Sequence, residues 1–403
     1  MKVISVNCVY GVGSTGKILK NLHSAMLSDG IESLVIYGRG EMVTDPAVTK
    51  ISSEGEGKIH SAMSRLWGVD FGFSYFATSR LLKIIDAENP DVVHLHCLNG
   101  HFVNVYRLLD YLKYKRIPTV LTLHAELMHT AGCEYAFECA KWKTECHDCP
   151  SIHGIISHYF RDDARHCFRK IKACYDGFDN LTVVGVSDWL TDRARQSAVF
   201  GSKKPSFVTI NNGVDADVFT YVDNYAKVKH RWNIPTGKTI IHVTPNFMHP
   251  IKGGKFVIEL AKRMPNVNFV IVGYNGGKEI DLPENVVTIE HTNNQKELVE
   301  LYSMADLTLL TSKRETFSMV CAESLCCGTP VLGFKAGGPE SIALREYSSF
   351  VDYGDVDALE KGASEMLMAK YDKISISHQA MRQYSNNTMC QSYIDLYKSI
   401  SKC

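Results

Sequence analysis

The sequence predicts an α/β chain made of two doubly wound, parallel-sheet domains. Short β-branched runs alternate with helical stretches, the alternation occurs twice in succession, and Asn212-Gly213-Val214-Asp215 separates the two series. At 403 residues the chain is long enough for two or three domains of ordinary size, each with its own core.

The first series has apolar runs at 3–9, 34–37, 92–96, 120–124 and 181–186. The second has them at 239–243, 269–272, 286–289, 307–310 and 331–334. Runs this short, with helical spacing between them, are read as parallel strands joined by crossover helices. Ligands of such sheets bind beyond the carboxyl ends of the strands, so a cleft between the domains is the expected substrate site. No low-complexity segment or internal repeat interrupts either series.

Lysine plus arginine equals aspartate plus glutamate at 44 each, so no global field recruits nucleic acid or a membrane. A charged partner must be met by a local patch. The N-terminal apolar run is too short for a signal peptide, and no run approaches the ~20 apolar residues of a membrane span. A cytoplasmic protein is expected. Thirteen cysteines, an odd number spread over strands and helices, read as reduced thiols rather than a secreted disulfide framework.

The most informative stretch runs from Thr311 to Val331. Residues 307–310 read as a buried strand and 319–327 as an amphipathic helix stopped by Gly328. Glu315 then falls in the turn and Glu323 inside the helix. At about 1.5 Å of rise per residue the two acids stand roughly 10 Å apart along the axis, too far to share a proton as a dyad. Between them the amides of Ser318, Met319 and Val320 face out of the helix N-terminus, where unpaired donors and the macrodipole attract an anion. A nucleotide sugar fits this order: the sugar near Glu315, the diphosphate over the helix end, the ribose hydroxyls on Glu323. Ordinary dipole pairing and solvation are the alternative account of both acids.

This stretch resembles the Glu-x7-Glu signature of the family 4 glycosyltransferases, retaining enzymes whose GT-B fold has two Rossmann-like domains. Asn212-Gly213-Val214-Asp215 with Phe219 is similar to the family's hinge, and Val186-Ser187-Asp188-Trp189-Leu190 to the turn ahead of it. Lys252-Gly253 stands where the family carries its phosphate-binding lysine, and the resemblance runs in order over nearly the whole chain. It implies an acceptor-side domain at 1–212 and a nucleotide-sugar domain at 213–385. A final helix, from about 374 onward, is implied to bring residues 386–403 back onto the first domain. Glu315, His124 and Lys252 are the implied catalytic residues. Gly13, Asn246, Arg314, Phe317, Ser318, Met319, Val320 and Glu323 join Lys252 and Glu315 in binding the donor.

Several candidates have a plainer reading beside the functional one. Gly11-Val12-Gly13-Ser14-Thr15-Gly16-Lys17 follows the first strand and comes within one residue of a Walker A loop, but Ile18 stands where the magnesium-binding hydroxyl belongs. Its glycines let amides approach a diphosphate or an acceptor, or simply form a tight turn. A lysine at 252 can neutralise a leaving diphosphate. Most family members also place an arginine about five residues before it, where this chain has Asn246 and Phe247; Arg314 is the candidate substitute. His124 ends a strand and matches a family histidine that contacts the donor sugar. His94 and His96 share one sheet face by their period-two spacing and are read as packing residues.

Cys133, Cys139, Cys146 and Cys149 lie in one polar loop, and Cys146-x-x-Cys149 has metal-knuckle spacing. Structural zinc and free thiols are both open readings; four thiolates would leave no position for catalysis. Trp67, Phe71, Phe73, Tyr75 and Phe76 with Arg65 and Arg80, and the basic run Arg161, Arg165, Arg169, Lys170 and Lys172, suit either core packing or contact with a membrane surface.

The reading that follows is a retaining transferase that moves a sugar from a nucleotide diphosphate, UDP favoured and GDP the second choice, to a glycan acceptor. An undecaprenyl-diphosphate-linked oligosaccharide at the inner face of the cytoplasmic membrane is the expected acceptor, in bacterial surface polysaccharide assembly. No cofactor is expected for catalysis, and magnesium is not, since no Asp-x-Asp pair falls in the proposed cleft. A nucleotide-sugar epimerase of the same fold and a non-catalytic sugar-nucleotide binder are the alternatives.

Overall fold

The computed structural model describes residues 1–69, 71–130, 132–150, 162–223, 225–274 and 281–401. They form two compact units: Met1–Asn211 together with Met389–Cys403, and Asn212–Thr388. The sequence places these divisions at 212/213 and 385/386.

The first unit holds a seven-stranded sheet of β1 (Lys2–Asn7), β2 (Glu32–Tyr37), β3 (Val48–Lys50), β4 (Val92–Leu95), β5 (Thr119–Leu123), β6 (Leu181–Gly185) and β7 (Ser206–Thr209). Every pairing is parallel, in the order β3-β2-β1-β4-β5-β6-β7. The order reverses between β1 and β4, where Val6 lies opposite Leu95. The central strands β4, β5 and β6 are buried at every residue, as strands covered on both faces must be. The edge strands β3 and β7 are short and partly solvated, which leaves few open backbone groups for another chain to pair with.

The second unit holds β8 (Thr239–Val243), β9 (Asn268–Val272), β10 (Val286–Ile289), β11 (Leu307–Leu310), β12 (Val331–Phe334) and β13 (Ser348–Val351). They are again all parallel, in the order β10-β9-β8-β11-β12-β13, with the reversal between β8 and β11. Its core packs Ile240, Ile271, Leu309 and Leu332 against Val257 and Leu260 of the helix Gly254–Arg263 and Leu359 of the helix Val356–Met368.

The expected single terminal helix is two. Lys373–Tyr384 and Asn386–Ile400 are separated by Ser385, whose backbone is extended at φ −61°, ψ 147°. The break serves the hinge: the Val214 amide donates to the Tyr384 carbonyl and the Asn386 amide to that of Val214. A Cβ at Gly213 would stand 2.8 Å from the Asn386 Cα, so only glycine allows this approach. Beyond the break, Met389, Tyr393, Ile394 and Tyr397 pack with Val3, Ile18, Leu22, Val92, Val120 and Val184 in the core of the first unit.

Candidate functional site

In the second unit, the segments after β8 and β11 leave the sheet side by side at its order reversal, and they are stitched together. Thr311 Oγ1 donates to the Lys252 carbonyl at 2.8 Å and the Lys313 amide to the Ile251 carbonyl at 2.7 Å. Gly253 has φ +69°, and a Cβ there would come within 2.2 Å of the Thr311 carbonyl oxygen. The crossing therefore requires glycine. Lys252 closes a single 3-10 turn, Pro250–Lys252, whose His249 ring nitrogen takes the Ile251 amide.

The result is direct contact between two expected site residues. Lys252 Nζ lies 2.6 Å from Glu315 Oε1, with the side chains 28% and 21% exposed. Glu315 is held from both sides, its amide donating to Ala336 and its carbonyl accepting from Gly338, while Glu340 takes the amides of Ala336 and Gly337. A carboxylate and an ammonium are thus fixed at one spot, half open to solvent.

The helix after this turn, Met319–Cys326, begins at Ser318, which adopts φ 77° and whose hydroxyl accepts the Cys321 amide at 3.3 Å. Such a backbone costs on the order of 1–3 kcal/mol in a non-glycine residue, a cost tolerated where the surroundings dictate it. Helix geometry leaves the Met319 and Val320 amides without a carbonyl four residues back, next to half-buried side chains. Glu323 lies one turn on and accepts from the buried Tyr302 hydroxyl at 3.4 Å. Arg314 is half-buried and Asn246 is exposed. Phe317, expected at the donor, has its side chain 2% exposed and packed edge-on against Tyr384. An apolar ring in a site-forming turn is more useful as that turn's anchor.

A residue not singled out in the sequence supports the same corner. His242 of β8 is buried, and its Nδ1 donates to the Leu309 carbonyl at 2.9 Å. Burial pushes its pKa down to about 4, opposed by that hydrogen bond and helped by the Lys252 charge. Its hidden signal is a polar side chain in an otherwise apolar strand.

His124 and Gly13 belong to the first unit, at the carboxyl ends of β5 and β1. Gly13 opens the helix Gly13–Ser28 with φ +64°, and Val12 supplies no side-chain cap. Ile18 is 3% exposed and sits in the core, so the Walker position is occupied by packing. His124 follows β5, half-buried, with Nε2 3.2 Å from His96 Nδ1. Burial lowers the pKa of His124 to about 4 and holds His94 and His96 well below the usual histidine range. His94 bonds Tyr397 Oη at 2.5 Å and Thr122 Oγ1 at 2.7 Å, and Thr122 reaches Tyr393 Oη at 3.0 Å. The packing role read for His94 and His96 is therefore also a polar one.

The cysteine loop is anchored by Glu126. This carboxylate, 0% exposed, accepts from Arg193 Nε at 2.5 Å and from the Ala136 amide at 2.9 Å. Arg193 also lies over the Trp142 and Trp189 rings. Cys133 has its pKa raised by a hydrogen bond with Cys149, then by burial, with Cys139 and Cys146 adding to it. Burial pushes the Cys146 thiol up to about 12, and it donates to the Thr130 carbonyl at 3.4 Å. Among the described residues no group of three or more His, Cys, Asp or Glu side chains that could hold a metal ion is found.

The aromatic stretch divides. Phe71 is 2% exposed and belongs to the core, whereas Trp67, Tyr75 and Phe76 are 47%, 58% and 77% exposed. Arg80 pairs with Glu56, and Arg165 and Arg169 both pair with Glu145; Arg161 lies outside the described residues. No helix among the described residues is long and apolar enough to cross a membrane.

Two family models match the chain. Glycosyltransferase Family 4 covers residues 15–218 and Glycosyl transferases group 1 covers residues 225–388. A colanic acid biosynthesis glycosyl transferase, WcaC of Escherichia coli (strain K12), is 21% identical over 99% of this chain and 100% of its own. The N-acetyl-alpha-D-glucosaminyl L-malate synthase of Bacillus anthracis is 24% identical over 72% of this chain and 68% of its own. Among solved structures, Anabaena HepE in complex with UDP-glucose superposes with a TM-score of 0.64 at 14% identity, over 99% of this chain and 100% of that one. WaaG, a glycosyltransferase involved in lipopolysaccharide biosynthesis, gives 0.62 at 13% identity, over 98% and 99%.

Proposed function

The chain belongs to glycosyltransferase family 4, and from that premise we propose that it transfers a sugar, with retention at the anomeric carbon, from a nucleotide diphosphate sugar to a glycan acceptor. UDP is the favoured nucleotide and GDP the second choice. HepE, a relative in fold, is described with UDP-glucose. The acceptor is an oligosaccharide on a lipid diphosphate such as undecaprenyl diphosphate, met at the inner membrane surface during assembly of a bacterial surface polysaccharide. WcaC, similar over its whole length, is named for colanic acid biosynthesis.

One observation carries this reading: the Lys252–Glu315 contact of 2.6 Å at the order reversal of the second sheet. When the donor binds, its diphosphate competes for the Lys252 ammonium and for the amides of Met319 and Val320, both oriented before the reaction begins. Glu315, released from Lys252, accepts from hydroxyls of the sugar, and Glu323 from those of the ribose. The bond from the anomeric carbon to the phosphate oxygen breaks as the acceptor oxygen bonds to that carbon on the same face. The acceptor proton passes to the departing phosphate oxygen. In the first unit, the family resemblance assigns donor roles to His124 and the Gly13 turn.

A mass-spectrometric assay with UDP- and GDP-sugars and lipid-diphosphate acceptors tests the proposal. The expected product is an acceptor heavier by one sugar residue, with nucleoside diphosphate released. An altered sugar still on its nucleotide, formed without acceptor, would establish the epimerase instead. Binding without turnover for every donor would establish the sensor. A ligand at a hundredfold its Kd stabilises by about 2.7 kcal/mol, so thermal-shift screening selects the nucleotide first.

A further inference from the structure

We propose that His96 is a positioning residue: it donates a hydrogen bond from Nδ1 into His124 Nε2 and so fixes His124 as the neutral tautomer with its proton on Nδ1. The inference deepens the transferase reading, on which the role of His124 rests.

The proton assignment follows from what surrounds His96. Its ring is 1% exposed, its Nδ1 lies 3.2 Å from His124 Nε2, and its Nε2 is buried with no hydrogen-bond partner. One hydrogen lies between the two rings. If His124 donated it, the neutral His96 ring would carry its own proton on Nε2, an orphaned N–H in a dry interior. Buried donors without acceptors are among the rarest features of folded proteins. If His96 donates it, Nε2 keeps only a lone pair and nothing is stranded. A doubly protonated His96 is disfavoured as well, because the ring is 1% exposed and the His94 ring lies against it, tilted by 37° at a centroid distance of 3.8 Å. His94 cannot swing away to relieve this, being tied to Tyr397, Thr122 and through it Tyr393.

The chemical consequence is a restriction on His124. Its Nε2 lone pair is filled by the His96 proton, so that nitrogen cannot take a proton from the acceptor hydroxyl. His124 then acts as a donor from Nδ1, suited to an oxygen of the sugar rather than to base catalysis. This agrees with the acceptor proton leaving on the phosphate.

The test uses the whole chain with nitrogen-15-labelled histidine, with the His124 ring signals assigned by their loss in His124→Asn. Long-range proton–nitrogen correlation is expected to show the Nδ1–H tautomer of His124 at neutral pH. His96→Asn keeps an N–H near the position of Nδ1, whereas His96→Ala removes it. With His96→Ala the His124 signals should move toward a mixture of tautomers and kcat should fall about tenfold, the worth of one buried hydrogen bond, with little change in donor KM. His96→Asn should restore most of both. An Nε2–H tautomer in the unaltered protein overturns the proposal. So does a folded His96→Ala protein, judged by its thermal melt, whose His124 spectrum and kcat are unchanged. If no donor is turned over at all, the transferase reading fails while the tautomer measurement still decides this one.

Discussion

Replacing Lys252 by alanine should cripple turnover while leaving the fold nearly as stable. Two unit charges 2.6 Å apart attract by roughly 6 kcal/mol at an effective dielectric of about 20, but that is a gross figure. With the side chains 28% and 21% exposed, desolvation and lost rotamer freedom offset most of it, leaving about 1 kcal/mol. For a unit of this size the melting temperature should drop by about 2–4 °C. Catalysis should suffer far more, because a fixed cation facing a developing diphosphate charge is worth about 2.7–4 kcal/mol, or roughly 10²–10³ in kcat. Nucleoside diphosphate release, followed by a coupled assay at saturating donor, reads the first quantity and differential scanning fluorimetry the second. Glu315→Gln supplies the control: Lys252 loses its competitor, so nucleotide binding should hold or tighten while turnover drops. A Lys252→Ala enzyme within about threefold of the original kcat, well short of the oxyanion-type loss, would refute the placement of this lysine at the leaving group.

Three other outcomes are expected. Glu126→Ala should cost about 3–5 kcal/mol in urea unfolding, because it strands the Arg193 charge and frees the Ala136 amide; a loss below about 1 kcal/mol would mean the buried pair is solvated. His94, His96, His124 and His242 all have their pKa lowered by burial, so their neutral forms stabilise the fold fully above the unfolded value near 6.5. That stability should decline as pH falls from there, toward about 4 for His124 and His242, by up to ~1.4 kcal/mol per pH unit for each histidine; a urea midpoint that stays flat between about pH 7 and 5 would contradict it. Phe317→Ala should destabilise by about 3–5 kcal/mol while the fraction still folded binds nucleotide with nearly the original Kd, as measured by denaturant titration and calorimetry.

Most strands legible in the sequence lie in a uniform environment; β10, a partly solvated edge strand, was legible from its Val-Val-Thr-Ile run. β4, β5, β6, β9 and β11 are buried throughout, and their unbroken apolar runs show it. β3, β7 and β13 escaped because an edge position solvates part of the strand, and Val48-Thr49-Lys50 or Ser348-Ser349-Phe350 then carries too little apolar signal. The break at Ser385 was invisible for a different reason: helical periodicity continues across it, and the hinge that pairs there lies some 170 residues earlier in the chain. Within the site, spacing placed Glu315 in the turn and Glu323 on the helix. It could not separate Phe317, which faces the core, from the Ser318 and Met319 that follow it, because a turn has no period. The bond between His96 and His124 joins neighbouring strands, a relation that no local pattern encodes.

The first unit is completed by a segment made after the whole of the second. Met1–Asn211 leaves the ribosome well before Met389–Cys403, with all of Asn212–Thr388 translated in between. At about 5–20 residues per second that interval is on the order of 10–35 s. Throughout it Val120, Val184 and the His94–Thr122 pair lack the cover that Met389, Tyr393 and Tyr397 provide. A nascent chain in this condition exposes an apolar sheet face, the surface a holding chaperone grips. It would also accept the missing helix as a separate peptide, which makes Ser385, just ahead of the helix Asn386–Ile400, the natural place to divide this protein into two complementing fragments.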